Sequence, residues 1–443
     1  MIKKRLLSML VLLTAAVTGV WADDEAVTYA LKTSDSFTSG QTVEVKNAAN
    51  DVVATITYGE SGGNNFSAAK KDTQVEGFSA YTDGNGTNGN KPGGTFYTIT
   101  PKVNATITVA VVLNADKTFH ILEDGTALAN YNGITVSSKY YGTYEFDAKA
   151  NKAYKFYCPG SKLGFYGFTM DPWTDIIVNG DMEGTDLQCF FVKENALGSG
   201  NLYYAKISDG IGVDDSRAIA VLSTGNEVET WDTQFFVRLP YELPAGTPYK
   251  VSFDYKADNA SACDLQCQNE PSEYIIYYLS GTTTPPACNF TTGWQTYESG
   301  EMTVPTECDG LQSTQGDWLN NFQTISFSLA KNGTATRYII DNVKVEIPAS
   351  VLSGLTQSAI TKEIAQYPTF NVTFNAANAN TIDATDASKG TVSVKVGTGA
   401  AVDKTSAITE GKLEGVKMGS EVKMTAKEGY KFRKVEVKKT PKP

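Results

Sequence analysis

The chain has 443 residues, 49 acidic against 38 basic, a formal net charge of −11 and a single histidine, His120. That acidic balance argues against nucleic acid and anionic membrane as partners, and one histidine removes most imidazole-based catalysis and histidine-rich metal sites. The length allows two to four domains, each with a core of its own.

Residues 1–22 have the layout of an export signal. Lys3, Lys4 and Arg5 precede an apolar run from Leu6 to Val20, and Val20-Trp21-Ala22 sets small residues at the positions a signal peptidase reads. The run is too short for a comfortable membrane span, and no second apolar stretch approaches membrane length. The expectation is a secreted, periplasmic or cell-surface protein. Beyond the signal, Tyr, Phe, Thr, Val, Ser, Asn and Gly dominate and no long helical period occurs, which predicts an all-β, multi-domain chain.

Residues 23–172 form the first predicted module, a β-sandwich. Its centre alternates through Thr106–Leu113, Thr118–Leu122 and Gly133–Val136, separated by Asn114-Ala115-Asp116 and Glu123-Asp124-Gly125, a spacing typical of hairpins. The Gly- and Asn-rich stretch from Gly59 to Gly94 predicts long surface loops. Residues 173–348 form the second module, with strands predicted at Thr233–Leu239, Tyr249–Tyr255, Tyr274–Tyr278 and Thr324–Leu329. Residues 349–443 form a small C-terminal β module, in which Asn375 to Ser388 predicts a mobile loop. Four cysteines, Cys263, Cys267, Cys288 and Cys308, cluster in the second module. For an exported chain disulfides are the first expectation, with three pairings open, and buried thiols or a metal site remain alternatives.

Strand alternation proposes a binding face. From Trp231 to Leu239, one face carries Trp231, Thr233, Phe235 and Val237, which should be core. The other carries Asp232, Gln234, Phe236 and Arg238. An aromatic plate among hydroxyl-bonding groups suits the floor of a sugar-binding cleft, because pyranose rings stack on aromatic faces and amides or carboxylates grip their hydroxyls. Trp294 should pack in the sandwich, while Trp318, beside Asn320 and Asn321, suits either a loop anchor or a ligand contact. Glu227, Glu229 and Asp232 are the one carboxylate cluster of interest for glycoside hydrolysis, but they lie on a short segment where a solvated edge is the simpler account. No G-x-S-x-G, H-E-x-x-H or phosphate loop is present.

The second module opens on Asn179-Gly180-Asp181-Met182-Glu183 and closes on Tyr338-Ile339-Ile340-Asp341-Asn342-Val343. With this pair of ends it resembles the CenC-like carbohydrate-binding modules, the group of families 4, 9 and 22. The resemblance implies a non-catalytic jelly roll that binds polysaccharide of the xylan or β-glucan type. It extends to three internal segments. Asp232-Thr233-Gln234-Phe235-Phe236 is similar to a D-x-Q-F-W strand, Gln266 to Tyr274 to a Q-x-H-x-x-P-x-x-Y segment, and Phe290-Thr291-Thr292-Gly293-Trp294 to F-T-T-x-W. The implied carbohydrate-binding residues are Asp232, Gln234, Phe236, Gln266, Gln268 and Tyr274, with Phe236 in place of the family's Trp and Gln268 in place of its His. A structural calcium is implied at Glu183 and Asp341, although two carboxylates serve equally well as an ordinary surface pair. The stretch from Gly94 to Met170 resembles an accessory sandwich of secreted polysaccharide-degrading enzymes, which implies surface-associated glycan-degrading proteins as partners. Residues 419–437 resemble a small spacer repeat of bacterial surface proteins. Two other functions stay open: a structural or adhesive surface protein whose modules act as spacers, and a polysaccharide hydrolase or lyase of unfamiliar type.

Overall fold

The computed structural model describes residues 25–429, except 60–65, 84–95, 160–161, 195–196, 198–199, 283, 307–321, 331–332, 368, 374–389, 396–400, 409–411 and 418–420. Residues 1–22, read as an export signal, Cys308, Trp318, the loop read at Asn375 to Ser388 and parts of the Gly59 to Gly94 and 419–437 stretches therefore lie outside the described residues. The described chain is nearly all β, in antiparallel sheets. It divides into two compact units, one of Met1–Asp175 with Glu346–Leu355, the other of Ile176–Val345 with Thr356–Pro443.

Unit 1 is a two-sheet sandwich. One sheet runs Gln41–Lys46, Val52–Tyr58, Phe96–Pro101, Tyr154–Tyr157, Lys117–Glu123, Thr126–Val136 in spatial order. In the other, Ala105–Leu113 lies between Tyr140–Ala148 and Gly164–Asp175, and Gly164–Asp175 also pairs with Val27–Ala30 and Ala80–Asp83. Period-2 patterns turn one side of each strand inward. Ile56, Tyr58, Tyr97, Ile99, Phe119, Phe156 and Phe165 are completely buried between the sheets. Aromatic pairs fill the gap, with Tyr97 and Phe156 stacked at 5.4 Å and Phe37 and Tyr58 at 3.8 Å.

The two predicted hairpins fare differently. Asp124 and Gly125 both have positive φ and join Lys117–Glu123 to Thr126–Val136 by a two-residue turn, the conformation an Asp-Gly pair favours. Asn114-Ala115-Asp116 closes no hairpin. Ala105–Leu113 and Lys117–Glu123 belong to opposite sheets, so the turn crosses from one layer to the other. The burial of Ala110, Val111, Val112 and Leu113 in succession shows a strand covered on both faces at its end, where alternation carries no directional information.

Unit 2 contains a second sandwich. Its first sheet runs Tyr203–Tyr204, Phe190–Lys193, Gln234–Leu243, Phe322–Ser328, Asp264–Gln268, Tyr277–Tyr278. The second contains Ile207–Ser208, Ala218–Ser223, Thr336–Pro348, Pro248–Ala257 and Gln295–Thr303. Phe235 of the first sheet lies 6.2 Å from Phe190 and 5.2 Å from Phe327, and Phe327 meets Phe253 of the second sheet edge-on at 4.8 Å. The sandwich ends close on each other: the Ile176 amide donates to the Val345 carbonyl at 2.9 Å and the Val343 amide to the Gly180 carbonyl at 2.8 Å. A Cβ on Gly180 would collide with the Val343 carbonyl oxygen, which explains physically why the opening segment needs glycine there. The C-terminal strands enclose a small apolar cluster of Val392, Val394, Ile408, Leu413 and Val416.

Cys158, Cys189, Cys263, Cys267 and Cys288 are buried thiols, so none of the disulfides expected among those in the second module is formed between them. The Cys263 amide donates to the Cys288 carbonyl at 2.9 Å, which sets these two residues opposite each other.

Candidate functional site

The outer face of the first unit 2 sheet is built in rows across the strands. One row is Lys193, Gln234, Ser328, Asp264. The next is Tyr204, Phe191, Phe236, Ser326, Gln266, Tyr278, and a third is Arg238, Thr324, Gln268. Gln234, Phe236 and Arg238 thus lie opposite Phe235 and Val237, as the alternation predicts, and Gln266 and Gln268 share their face. The side chains there are rich in hydroxyls and amides. Gln234 Nε2 donates to Ser326 Oγ at 3.0 Å and Ser328 Oγ at 3.2 Å, and Gln268 Nε2 approaches Gln266 Oε1 at 3.4 Å. Gln268 Oε1 is buried without a hydrogen-bond partner among the described residues. A buried polar group left unmet is costly.

Exposure is where expectation and structure part. Phe236 is 0% exposed rather than an open plate. Gln234, Gln266 and Gln268 are buried as well. Phe236 packs with Phe191 and Leu202 beneath Ile360 and Ile364, which belong to a segment, Thr356 to Tyr367, lying across this end of the face. Tyr274 is the reverse case, 60% exposed on the turn before the edge strand Tyr277–Tyr278. Asp232 is half-buried, and its Oδ2 accepts the amides of Val228 and Glu229 at 2.9 and 3.0 Å, so it closes a turn. Trp294 is only partly buried, with Lys256 Nζ 4.4 Å from its ring, and so does not fill the core as expected.

The segment over the face was missed in the sequence. It is held by side chains. Arg238 donates through Nη1 to the Ser358 carbonyl at 3.0 Å and through Nη2 to Ser358 Oγ at 3.1 Å, and Gln323 Nε2 also donates to Ser358 Oγ. Arg238 is paired with Glu270 at 3.3 Å, and Glu270 Oε1 accepts the Thr361 amide at 3.4 Å. Lys362 pairs with Glu273. At the far end Tyr367 stacks on Tyr203 at 4.9 Å, lies under Lys206 Nζ at 3.7 Å and donates to the Tyr204 carbonyl at 2.6 Å. Nearby, burial pushes the Glu194 carboxyl above its usual range, against the opposing pull of the Leu222 amide and Lys206, and burial pushes Lys206 down.

Glu183 and Asp341 converge on one turn. Asp341 is 1% exposed, and its Oδ2 accepts the Val213 amide at 2.9 Å and Ser216 Oγ at 3.2 Å. Glu183 Oε1 accepts the Arg217 amide at 2.9 Å. A Cβ built on Gly212 would lie 2.6 Å from the Arg217 carbonyl oxygen and 2.7 Å from Asp341 Oδ2, and closer still to Ser216 Oγ. Carboxylate, carbonyl and hydroxyl oxygens meet around Gly212, but among the described residues no group of three or more acidic, histidine or cysteine side chains gathers to hold a metal ion. The same carboxylates also serve as acceptors for the turn's own amides.

The remaining carboxylate cluster is occupied too. Glu227 Oε1 accepts the Thr224 amide at 2.6 Å and Thr233 Oγ1 at 3.1 Å. Burial pushes this carboxyl up, but those bonds outweigh it and hold it below the usual range, the opposite of what a general acid needs.

No family pattern matches the chain, and no curated protein does. The solved structures similar to part of it include several carbohydrate-binding modules, and also an exo-β-agarase and AerE from Microcystis aeruginosa. A family 4 module is 23% identical over 39% of this chain and 99% of its own, with a TM-score of 0.27. A family 11 module from Clostridium thermocellum, in complex with a β-1,3-1,4-mixed-linked tetrasaccharide, is 20% identical over 40% of this chain and 94% of its own, with a TM-score of 0.25. The family 22 and GH10 modules of C. thermocellum xylanase 10B, complexed with xylohexaose, are 13% identical over 43% of this chain and 30% of that one, also at 0.25.

Proposed function

We propose that this is a secreted, non-catalytic protein that captures polysaccharide of the xylan or β-glucan type through residues 173–348, with the flanking segments 23–172 and 349–443 as accessory modules. The observation that carries the reading is the outer face around Gln234, Ser326, Gln266 and Gln268, where hydroxyl-gripping side chains fill successive rows and Gln268 Oε1 has no partner among the described residues. The sheet's edge strands supply aromatic rings at both flanks, Tyr204 on one side and Tyr278, close to Tyr274, on the other. Glu183 and Asp341 would hold a structural calcium that pins the turn at Val213 to Arg217, and surface-associated glycan-degrading proteins would be the partners that use the captured chain.

The test is retention of the purified protein on insoluble xylan and mixed-linkage β-glucan, with release of reducing sugar measured in parallel. Retention without release supports the reading, and release of sugar that is lost on changing Glu227, Glu229 or Asp232 would move the function to glycosidase. For calcium, a chelator should lower the melting temperature of unit 2, since a ligand of the native state stabilises it. An unchanged melting temperature would leave the carboxylates as turn anchors.

A second reading, a structural or adhesive spacer, is favoured by one observation. Phe236 is fully buried, packed with Phe191 and Leu202 and against Ile360 and Ile364 of the chain's own Thr356 to Tyr367 segment, as a surface with no ligand to meet could be. Absence of retention on every glycan offered would favour it.

A further inference from the structure

We infer that Thr356 to Tyr367 is an internal competitor for the polysaccharide face, a strap that occupies the place of a sugar chain and must lift for one to bind. The inference rests on the polysaccharide-binding reading and adds its regulation. Three observations support it.

The strap offers the face what a glycan would offer. Ser358 presents a hydroxyl and a carbonyl to the guanidinium of Arg238, and the hydroxyl also to the amide of Gln323, a grip that suits two neighbouring hydroxyls of a sugar ring equally well. Tyr367 anchors the far end of the strap at the sheet edge: its hydroxyl donates to the Tyr204 carbonyl and its ring stacks at 4.9 Å on Tyr203, which the register sets with Val192 and Phe235 on the side of the sheet away from Phe236. Ile360 and Ile364 cover Phe236, the aromatic in the middle of the face.

The strap's main chain is also lightly attached, its side chains supplying most of the anchoring. Apart from an isolated bridge between Tyr241 and Gln357, it belongs to no strand. Its amides make two bonds to main-chain carbonyls of the sandwich, Ser358 to Pro240 at 3.0 Å and Ala365 to Leu202 at 2.8 Å. Thr356 to Ala359, Thr361, Glu363 and Gln366 are exposed. A segment with few main-chain bonds and an exposed outer side opens locally at far lower cost than the sheet beneath it.

Finally, lifting the strap leaves a surface prepared to receive something. Arg238 keeps Glu270 as its counter-ion, so the guanidinium is not stranded, and its two outer nitrogens become available together with Gln323 Nε2. A polysaccharide that binds only the open form shifts the population toward it, so strap and glycan exclude each other.

The experiment uses the full chain. Residues 356–367 are replaced by a Gly/Ser stretch of equal length, and retention on insoluble xylan and mixed-linkage β-glucan is compared with the native protein. Hydrogen exchange at the Ser358 and Ala365 amides of the native chain is followed with and without saturating soluble mixed-linkage β-glucan and xylohexaose. The expected result is at least tenfold stronger retention of the replaced chain, with glycan accelerating exchange at both amides. Equal retention, with the amides still protected under glycan, overturns the strap and leaves polysaccharide binding standing. No retention of either chain, with the replaced protein folded, overturns the binding reading and the strap with it. If the replaced chain does not fold, Ile360→Asp with Ile364→Asp lifts the same segment with two changes, and the same outcomes are read from that variant.

Discussion

The two sandwiches present outer sheet faces of opposite kinds. In unit 1 a row crosses the sheet through Thr42, Thr57, Thr98, Lys155 and Leu122, every member at least partly exposed. Thr42 and Thr57 share a hydroxyl hydrogen bond at 2.9 Å, His120 stacks on Tyr157 at 5.2 Å and Lys155 Nζ lies 3.7 Å from the Phe96 ring. These are the short cross-strand pairings that keep a wet β surface ordered. In unit 2 the corresponding row passes through Phe191, Phe236, Ser326 and Gln266, all buried. The strands obey the same period in both units. The difference teaches that alternation says which side a residue takes, whereas packing by distant parts of the chain, as of Ile360 and Ile364 on Phe191 and Phe236, decides whether that side meets water.

The largest test of this contrast compares core with wet face. Phe235→Ala removes a completely buried ring from between the unit 2 sheets and should cost about 3–5 kcal/mol in denaturant unfolding. Thr98→Ala on the unit 1 face should stay within about 0.5 kcal/mol. A comparable loss at both positions would break the distinction between an inner and an outer side.

Next comes the buried ion pair under the strap. Arg238→Met leaves Glu270 charged and buried, at a cost of about 3 kcal/mol, while Arg238→Met with Glu270→Leu should recover most of that loss. A double variant as unstable as the single one would show that the guanidinium matters for packing alone.

A smaller effect separates the two units by pH. Glu194 in unit 2 has its carboxyl raised by burial, so folding favours its protonated form. Its contribution is therefore fully present below the ordinary glutamate value of 4.5 and is lost as pH rises through the higher folded value. Glu194→Gln keeps an acceptor for the Leu222 amide, 3.0 Å away in the native chain, and removes that decline. Unfolding free energies of native and variant should diverge as pH rises, and parallel curves would contradict the assignment. The smallest effect is the opposite one in unit 1. The Lys152 ammonium, with the Ala153 amide, holds the exposed Asp124 carboxyl below its usual range. Its titration followed by NMR should move upward in Lys152→Met.

The sequence was legible where a local rule acts. Alternation placed Phe235 and Val237 inside and Gln234, Phe236 and Arg238 on the other side of the sheet. The glycine and valine of the opening and closing signatures meet because Gly180 alone allows the Val343 carbonyl so near. Asp124-Gly125 gave its hairpin because both residues tolerate positive φ. What escaped depends on contacts between distant residues. Thr356 to Tyr367 spaces Ile360, Ile364 and Tyr367 as a helix would, yet it forms neither strand nor helix, so its local pattern points away from an extended segment lying over a sheet. Its anchors, Arg238, Glu270, Gln323 and Tyr203, come from four separate places in the chain. The exposure of Phe236 could not be read correctly without that segment.

The pairing of Trp173, Thr174 and Asp175 with Pro348, Ile347 and Glu346 has a consequence for the order of assembly. Unit 1 is discontinuous: its last portion, Glu346–Leu355, includes Ser350, whose amide donates to Asp171 Oδ1 at 3.0 Å. On a ribosome that portion appears only after the whole of Ile176–Val345 has been made. Most of unit 1 is complete long before, but its final rungs wait. Closing so long a loop from an unfolded chain is entropically costly, and the bonds from Ile176 to Val345 and from Val343 to Gly180 bring its ends together as the sandwich folds. The later unit thus finishes the earlier one.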